Sequence, residues 1–111
     1  MTCNGGAGGS GSAAGSTSIV LGGAGGAVST GGDLNVGGQA GGNGLTLSIT
    51  VSASQQGASS RFGGGATGVL NADGVAAENY GAGGSGASTQ GNTPRAGGSG
   101  SQGVIVVWEF L

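Results

Sequence analysis

The sequence predicts a mainly β and irregular fold: a single glycine-rich domain over 1–111, with extended polyglycine-II-like segments, a few short strands and essentially no α-helix. Three observations carry that expectation. Gly, Ala and Ser supply 61 of the 111 residues, 32 of them Gly, and a helix longer than two turns is costly in such a chain. The glycines recur in threes. The large apolar residues gather in three short clusters, two of which have the period of a strand.

The first cluster, Ser18-Ile19-Val20-Leu21, is a short strand of about 18–21. In the second, Leu45, Leu47, Ile49 and Val51 alternate with hydroxyl residues through Ser52. That period predicts a strand over 45–52 with its apolar face buried. The third is 104–111. Val104, Val106, Trp108 and Phe110 lie on one side and Ile105, Val107 and Leu111 on the other, with Glu109. Such a run predicts a strand buried on both faces, with Trp108 and Phe110 in the core.

Between the clusters lie Gly-Gly-small runs at 5–11 and 22–27, with shorter pieces at 41–44, 83–86 and 97–100. Collagen needs Gly at every third place and abundant proline, and this chain has only Pro94. A left-handed extended helix also turns once in three residues. With Gly at two of three places, two of its faces are bare backbone. Neighbouring segments can then approach until amides and carbonyls bond across the gap, so that main-chain hydrogen bonds fill the interior. Flexible linkers are the competing reading. Disordered chains, however, are usually highly charged, and only 5% of this one is.

Composition excludes several functions. With a net charge of −2 and Arg61 and Arg95 as its only basic residues, the chain has no electrostatic footprint for nucleic acid. No apolar run has the length of a membrane span, so membrane insertion is not expected. The opening Met1–Gly6 has neither the basic start nor the apolar stretch of a secretion signal. The single Cys3 cannot form an internal disulfide. No His is present to act as a base, and no basic neighbour activates Cys3. Asp73 and Glu78 could form a carboxylate pair for glycoside hydrolysis, but two solvated loop residues explain them better, and no enzyme is expected. Gly81-Ala82-Gly83-Gly84-Ser85-Gly86 fits a dinucleotide motif by letter alone, without the helix and acidic residue such a site needs. Asp33 and Asn35 fall short of the six to eight ligands calcium takes. No metal and no cofactor are expected.

The second half reads Arg61-Phe62-Gly63-Gly64-Gly65, then Asn79-Tyr80-Gly81-Ala82-Gly83-Gly84-Ser85-Gly86, then Gly97-Gly98-Ser99-Gly100-Ser101-Gln102-Gly103 running into Val104–Phe110. In this order the chain resembles the glycine-rich C-terminal domain of bacteriophage tail fibre proteins. That family places an aromatic residue before several glycines, then Tyr-Gly-Ala-Gly-Gly-Gly, and closes on an apolar strand with acidic and aromatic residues. Two features depart from it. The sequence starts almost directly in a glycine run, as a fragment of a longer fibre or a small separate virion protein would, and an alternating strand stands at 45–52 in place of a short linker.

The resemblance implies a virion tail fibre tip that adheres to a bacterial surface receptor, a glycan or an outer-membrane protein. It also implies other fibre or virion proteins as partners and a possible homotrimer. A surface of Gly, Ala and Ser offers little binding energy, so recognition falls to the large or polar residues not needed inside: Arg61, Phe62, Asn79, Tyr80, Gln90, Asn92, Pro94 and Arg95. Phe62 and Tyr80 are better explained as plugs at the ends of the glycine layers, with contact as the second reading. Two other functions compete. One is a purely structural virion part, such as a fibre shaft segment or capsid decoration. The other is an ice-binding or silk-like protein, against which the irregular spacing of the threonines argues.

Overall fold

A Gly-Gly-small run wound at three residues per turn has no Cβ on two of its faces, so a neighbouring backbone can come into direct contact with it. The computed structural model describes residues 2, 4–11 and 17–111; Cys3 lies outside them. Its interior is built from such contacts. Backbone hydrogen bonds between distant segments recur every three residues. The N–H groups of Ala7 and Ser10 donate to the carbonyls of Ala24 and Leu21, those of Gly38 and Gly41 to Gly26 and Gly23, and those of Gly98 and Ser101 to Ser85 and Ala82. A β-ladder would bond at intervals of two.

Among the described residues the chain forms eight extended segments, about 4–11, 21–28, 36–43, 54–59, 63–70, 72–78, 81–89 and 95–103, running alternately up and down in a bundle. The pairings fix the directions. The 21–28 and 36–43 segments bond antiparallel, whereas 72–78 and 95–103 run parallel, with Gly74 and Ala77 donating to Ala96 and Ser99. The long axis measures 60 Å against 18 and 14 Å across.

The 81–89 segment occupies the centre, and residues 82–89 are all buried. Five other segments bond to it: 4–11 through Ala87 N–H to Ser10 O, 54–59 through Gly83 N–H to Ala58 O, 63–70 through Ala66 N–H to Gly83 O, and the 72–78 and 95–103 segments on its remaining sides. Serine hydroxyls take up amides that the main chain leaves over. Ser85 Oγ accepts from Val75 N–H at 2.9 Å, and Ser54 Oγ from Val69 N–H at 2.7 Å. The largest fully buried side chains are Thr89, Ser85 and Ser88, so the core is amide and hydroxyl rather than hydrocarbon. Glycine is demanded by this closeness: a Cβ on Gly9 would lie 2.5 Å from the Ser85 carbonyl oxygen, and one on Gly57 would run into the Gly83 carbonyl.

A three-stranded antiparallel sheet, β1 (Ser18–Val20), β2 (Gly44–Ser48) and β3 (Val51–Ala53), sits at one end in the order β1-β2-β3. β1 matches the first predicted strand. The predicted single strand 45–52 is instead a hairpin. Its turn is made by Ser48, whose Oγ accepts from the N–H groups of Thr50 and Val51 at 3.2 and 3.1 Å, a local bond that competes with a continuous ladder. The register shifts between Thr46 and Ser48.

The buried face is also the reverse of the one expected. Thr46 and Ser52 are buried, at 5% and 6% exposure, while Leu45, Leu47, Ile49 and Val51 face outward. The cause is the polarity of the bundle. The sheet lies against backbone amides and hydroxyls, and Ser52 Oγ bonds Ser88 Oγ at 2.7 Å in the interior. Methyl groups placed there would leave those groups without partners.

The expected strand 104–111 is likewise not a core strand. It pairs with no other described residue and leaves the bundle at the end opposite the hairpin, with Trp108 80% and Phe110 94% exposed. A core closed by main-chain hydrogen bonds has no apolar cavity in which a strand of Val, Ile, Trp and Phe could be buried.

Candidate functional site

The up-and-down course sends alternate loops to opposite ends. At the hairpin end stand the β2–β3 turn, the turn at 70–72 and the turn at 90–94. At the other end stand the 29–35 loop, the 60–63 turn, the 79–80 turn and the 104–111 segment. The nine-residue 81–89 segment at roughly 3.1 Å per residue separates the two sets by about 28 Å.

The eight predicted contact residues therefore divide. Gln90, Asn92, Pro94 and Arg95 lie at the hairpin end; Arg61, Phe62, Asn79 and Tyr80 lie at the other. They cannot form one surface.

The hairpin-end loops brace one another. Gly91, in the left-handed region at φ 82°, gives its N–H to Ile49 O at 2.7 Å, tying the 90–94 turn to the tip of the hairpin. Gln90 N–H donates to Asn71 Oδ1 at 3.1 Å. Asn71 is itself at φ 47°, a conformation Asn tolerates better than most residues. Ala96 N–H donates to Asp73 Oδ1 at 3.0 Å, and Thr89 Oγ1 donates to Thr93 O across the base of the turn. Three loops are thus held in one arrangement, with Ile49, Leu70, Asn92 and Pro94 exposed on it. Arg95 is half-buried, its Nε enclosed and without a partner among the described residues; its neighbours Asn92 and Pro94 are the outward members of the set.

Ile49, Leu70 and Asn71 were not legible as tip residues. Ile49 reads as one apolar place among four in a strand, and only the turn made by Ser48 brings it to the tip. Asn71, before Ala72-Asp73-Gly74, carried a turn signal, but the partner of its side chain lies 19 residues away.

At the opposite end Asn79 is occupied structurally, its Nδ2 donating to Gly64 O at 2.9 Å. Ser101 Oγ donates to Asn79 O. Phe62 and Tyr80 are each about half exposed, so neither is a fully enclosed plug.

A shallow groove of about 500 Å³ runs along the flank between the 36–43, 54–59 and 63–70 segments, lined in part by Gln39, Gln55, Gln56, Ser59 and Leu70. It holds three of the chain's five glutamines and no charged residue.

The remaining motifs resolve into structure. Asp73 and Glu78 stand at opposite ends of the extended 72–78 segment, roughly 15 Å apart at about 3.1 Å per residue. Gly83, Gly84 and Gly86 lie within the buried centre, and Gly81 is half-buried at the turn before it. Asn35 closes a turn on Gly32, accepting its N–H at 3.3 Å and donating to its carbonyl at 2.6 Å. No cluster of three or more metal-binding side chains occurs among the described residues, and no helix occurs among them, so none is long and apolar enough to cross a membrane. Comparison with protein families, with curated proteins and with solved structures gives no match.

Proposed function

We propose that this chain is the adhesive tip of a bacteriophage tail fibre, a virion component that holds its hairpin-end loops against a bacterial surface receptor. The observation that carries this reading is the cross-braced tip: the 90–94 turn is bonded to both the 48–51 and the 70–72 turns above the buried bundle, and together they expose Ile49, Leu70, Asn92 and Pro94. Preordered loops lose little freedom on binding, which favours affinity from a small surface. Exposed Asn and Gln amides suit the hydroxyls of a glycan, and the uncharged amides of the flank groove extend that chemistry.

The test is competition for adsorption. Purified protein is added to host cells before the phage whose virion carries this chain. Adsorption should fall with dose, and an Ile49→Ala/Asn92→Ala variant should compete at least tenfold less well. No competition by saturating, folded protein would reject the adhesive reading. Antibody to the 89–95 loop distinguishes the structural alternative: it labels the distal end of the fibres for a tip, and the shaft or capsid for a purely structural part.

A further inference from the structure

We propose that the 104–111 segment is an association strand whose partner is a second copy of this chain, so that copies join at the end opposite the hairpin. Four observations support this. The segment is apolar on both faces, Val106, Trp108 and Phe110 on one and Ile105, Val107 and Leu111 on the other, and all six are exposed. A surface that covers one face leaves the other in water, whereas identical strands packed together supply cover for both.

Its backbone points the same way. No N–H or C=O group of 104–111 bonds to another described residue. Val and Ile favour the extended form, and neither Pro nor Gly interrupts the segment. Edge groups that no other described residue bonds, on a strand of this kind, are a template for pairing with a like strand.

The area is sufficient. At about 150–250 Å² for a buried aromatic side chain, Trp108 and Phe110 alone offer roughly 350 Å². The adjoining Val28, Leu34 and Val36 are exposed at the same end, and Leu34 lines a small cleft with Val104, Ile105 and Val106. Together these side chains expose on the order of 1,000 Å², against the roughly 800 Å² per partner of a stable interface.

The last observation is charge. Glu109 is the single ionised side chain in the segment. A strand with so little charge is poorly matched to a charged partner and well matched to itself. Association here would leave the 48–51, 70–72 and 90–94 turns free and pointing away from the junction, about 28 Å along the 81–89 segment at roughly 3.1 Å per residue. The inference does not depend on what those turns bind.

Trp108 is the only tryptophan and reports on the segment directly. The full chain is studied by sedimentation equilibrium from about 1 to 100 µM, with tryptophan emission and acrylamide quenching recorded on the same samples. The expected result is a defined oligomer in which Trp108 is blue-shifted and at least threefold less quenchable than the free indole. A Val106→Lys/Val107→Lys variant should be monomeric with Trp108 fully quenchable, while amide exchange in 82–89 stays as slow as in the parent, showing that the bundle is intact. A monomer at every concentration overturns the proposal, whether its Trp108 is open or covered by its own chain. So does an oligomer that persists in the double-lysine variant. Protection of Trp108 only when another virion protein is added would also reject it, in favour of that protein as the occupant.

Discussion

Two glycines in the buried centre separate an interior held by main-chain contact from one filled by side chains. A Cβ on Gly84 would strike the carbonyls of Gly98 and Ser99, both backbone. One on Gly86, two residues on and just as buried, finds nothing nearer than Ser10 O and Ser54 Cβ, both at 3.9 Å. Gly84→Ala must therefore push the 95–103 segment away from the centre. That strains three hydrogen bonds, Gly98 N–H to Ser85 O at 2.8 Å, Ser101 N–H to Ala82 O at 3.0 Å and Gly81 N–H to Gln102 O at 2.7 Å. At a net value of about 1 kcal/mol each, with more for any buried group left unpaired, the loss is about 3 kcal/mol or greater. Small domains have only about 5–15 kcal/mol in all. At roughly 4–8 °C per kcal/mol for a chain of this size, Gly84→Ala should lower Tm by ~15 °C or abolish the cooperative transition. Gly86→Ala fits without displacement and restricts the unfolded chain, so it should change stability by no more than about 1 kcal/mol, in the stabilising direction. Thermal and urea unfolding followed by far-ultraviolet circular dichroism measure both. Equal losses for the two variants, or a tolerated Gly84→Ala, would refute main-chain contact as the source of the packing.

Three further outcomes follow from the same interior. Ser52→Val should cost about 1–3 kcal/mol, because it removes the closer of the two partners of Ser88 Oγ inside the bundle and leaves only Asn71 N–H at 3.3 Å, whereas Leu47→Thr on the outward face should stay within ~0.5 kcal/mol; urea midpoints decide, and the opposite ranking would restore the conventional orientation of the hairpin. Gly91→Ala meets no neighbour within 4 Å but must hold φ 82°, so it should cost on the order of 1 kcal/mol and speed exchange of the residue-91 amide without affecting residues 82–89. Finally, unfolding exposes mostly amide surface, whose hydration lowers the heat capacity. Calorimetry should therefore give a heat-capacity change clearly below the usual ~12–15 cal/mol/K per residue, and an ordinary value would mean that apolar burial dominates after all.

The glycine tracts were the most legible part of the sequence. Their three-residue period reappears in the spacing of the hydrogen bonds at Ala7 and Ser10, Gly38 and Gly41, and Gly98 and Ser101. The orientation of the apolar residues was not legible. Alternation at 45–52 locates a face but carries no sign, and the rule that the apolar face turns inward holds only where the interior is hydrocarbon. Once Thr46 and Ser52 meet an interior of amides and hydroxyls, the sign reverses. The turn at 48–51 was hidden for another reason. It contains no Gly, Pro, Asn or Asp, and the Ser48 hydroxyl does the work such residues usually do. The split of the candidate contact residues follows from counting segments. Residues 61 and 62 precede one ascending segment and 79 and 80 precede the next, while 90–95 follow the second, so the two groups must face opposite ways in any bundle that turns back at each loop.

An interior of this kind also decides where apolar side chains go. In an ordinary domain the core gathers Val, Leu, Ile and Phe, and exposed ones need no explanation when they are scattered. Here the core admits little beyond hydrogen, methyl and hydroxyl groups, so nearly every large apolar residue is forced outward, Ile19, Leu45 and Leu47 on the sheet and Val106, Trp108 and Phe110 on the last segment. The monomer gains little from them, and each adds to its tendency to aggregate. The two patches differ in one respect that bears on their use. The sheet face belongs to strands whose backbone is already bonded in β1-β2-β3, so covering it would bury side chains alone. The 104–111 segment offers side chains together with backbone groups that no other described residue bonds, and a like strand can satisfy both at once. An amide-cored bundle thus carries exposed apolar side chains at both ends, and on the association proposed above only 104–111 would use them for self-pairing, while the internally braced turns at the hairpin end would stay free.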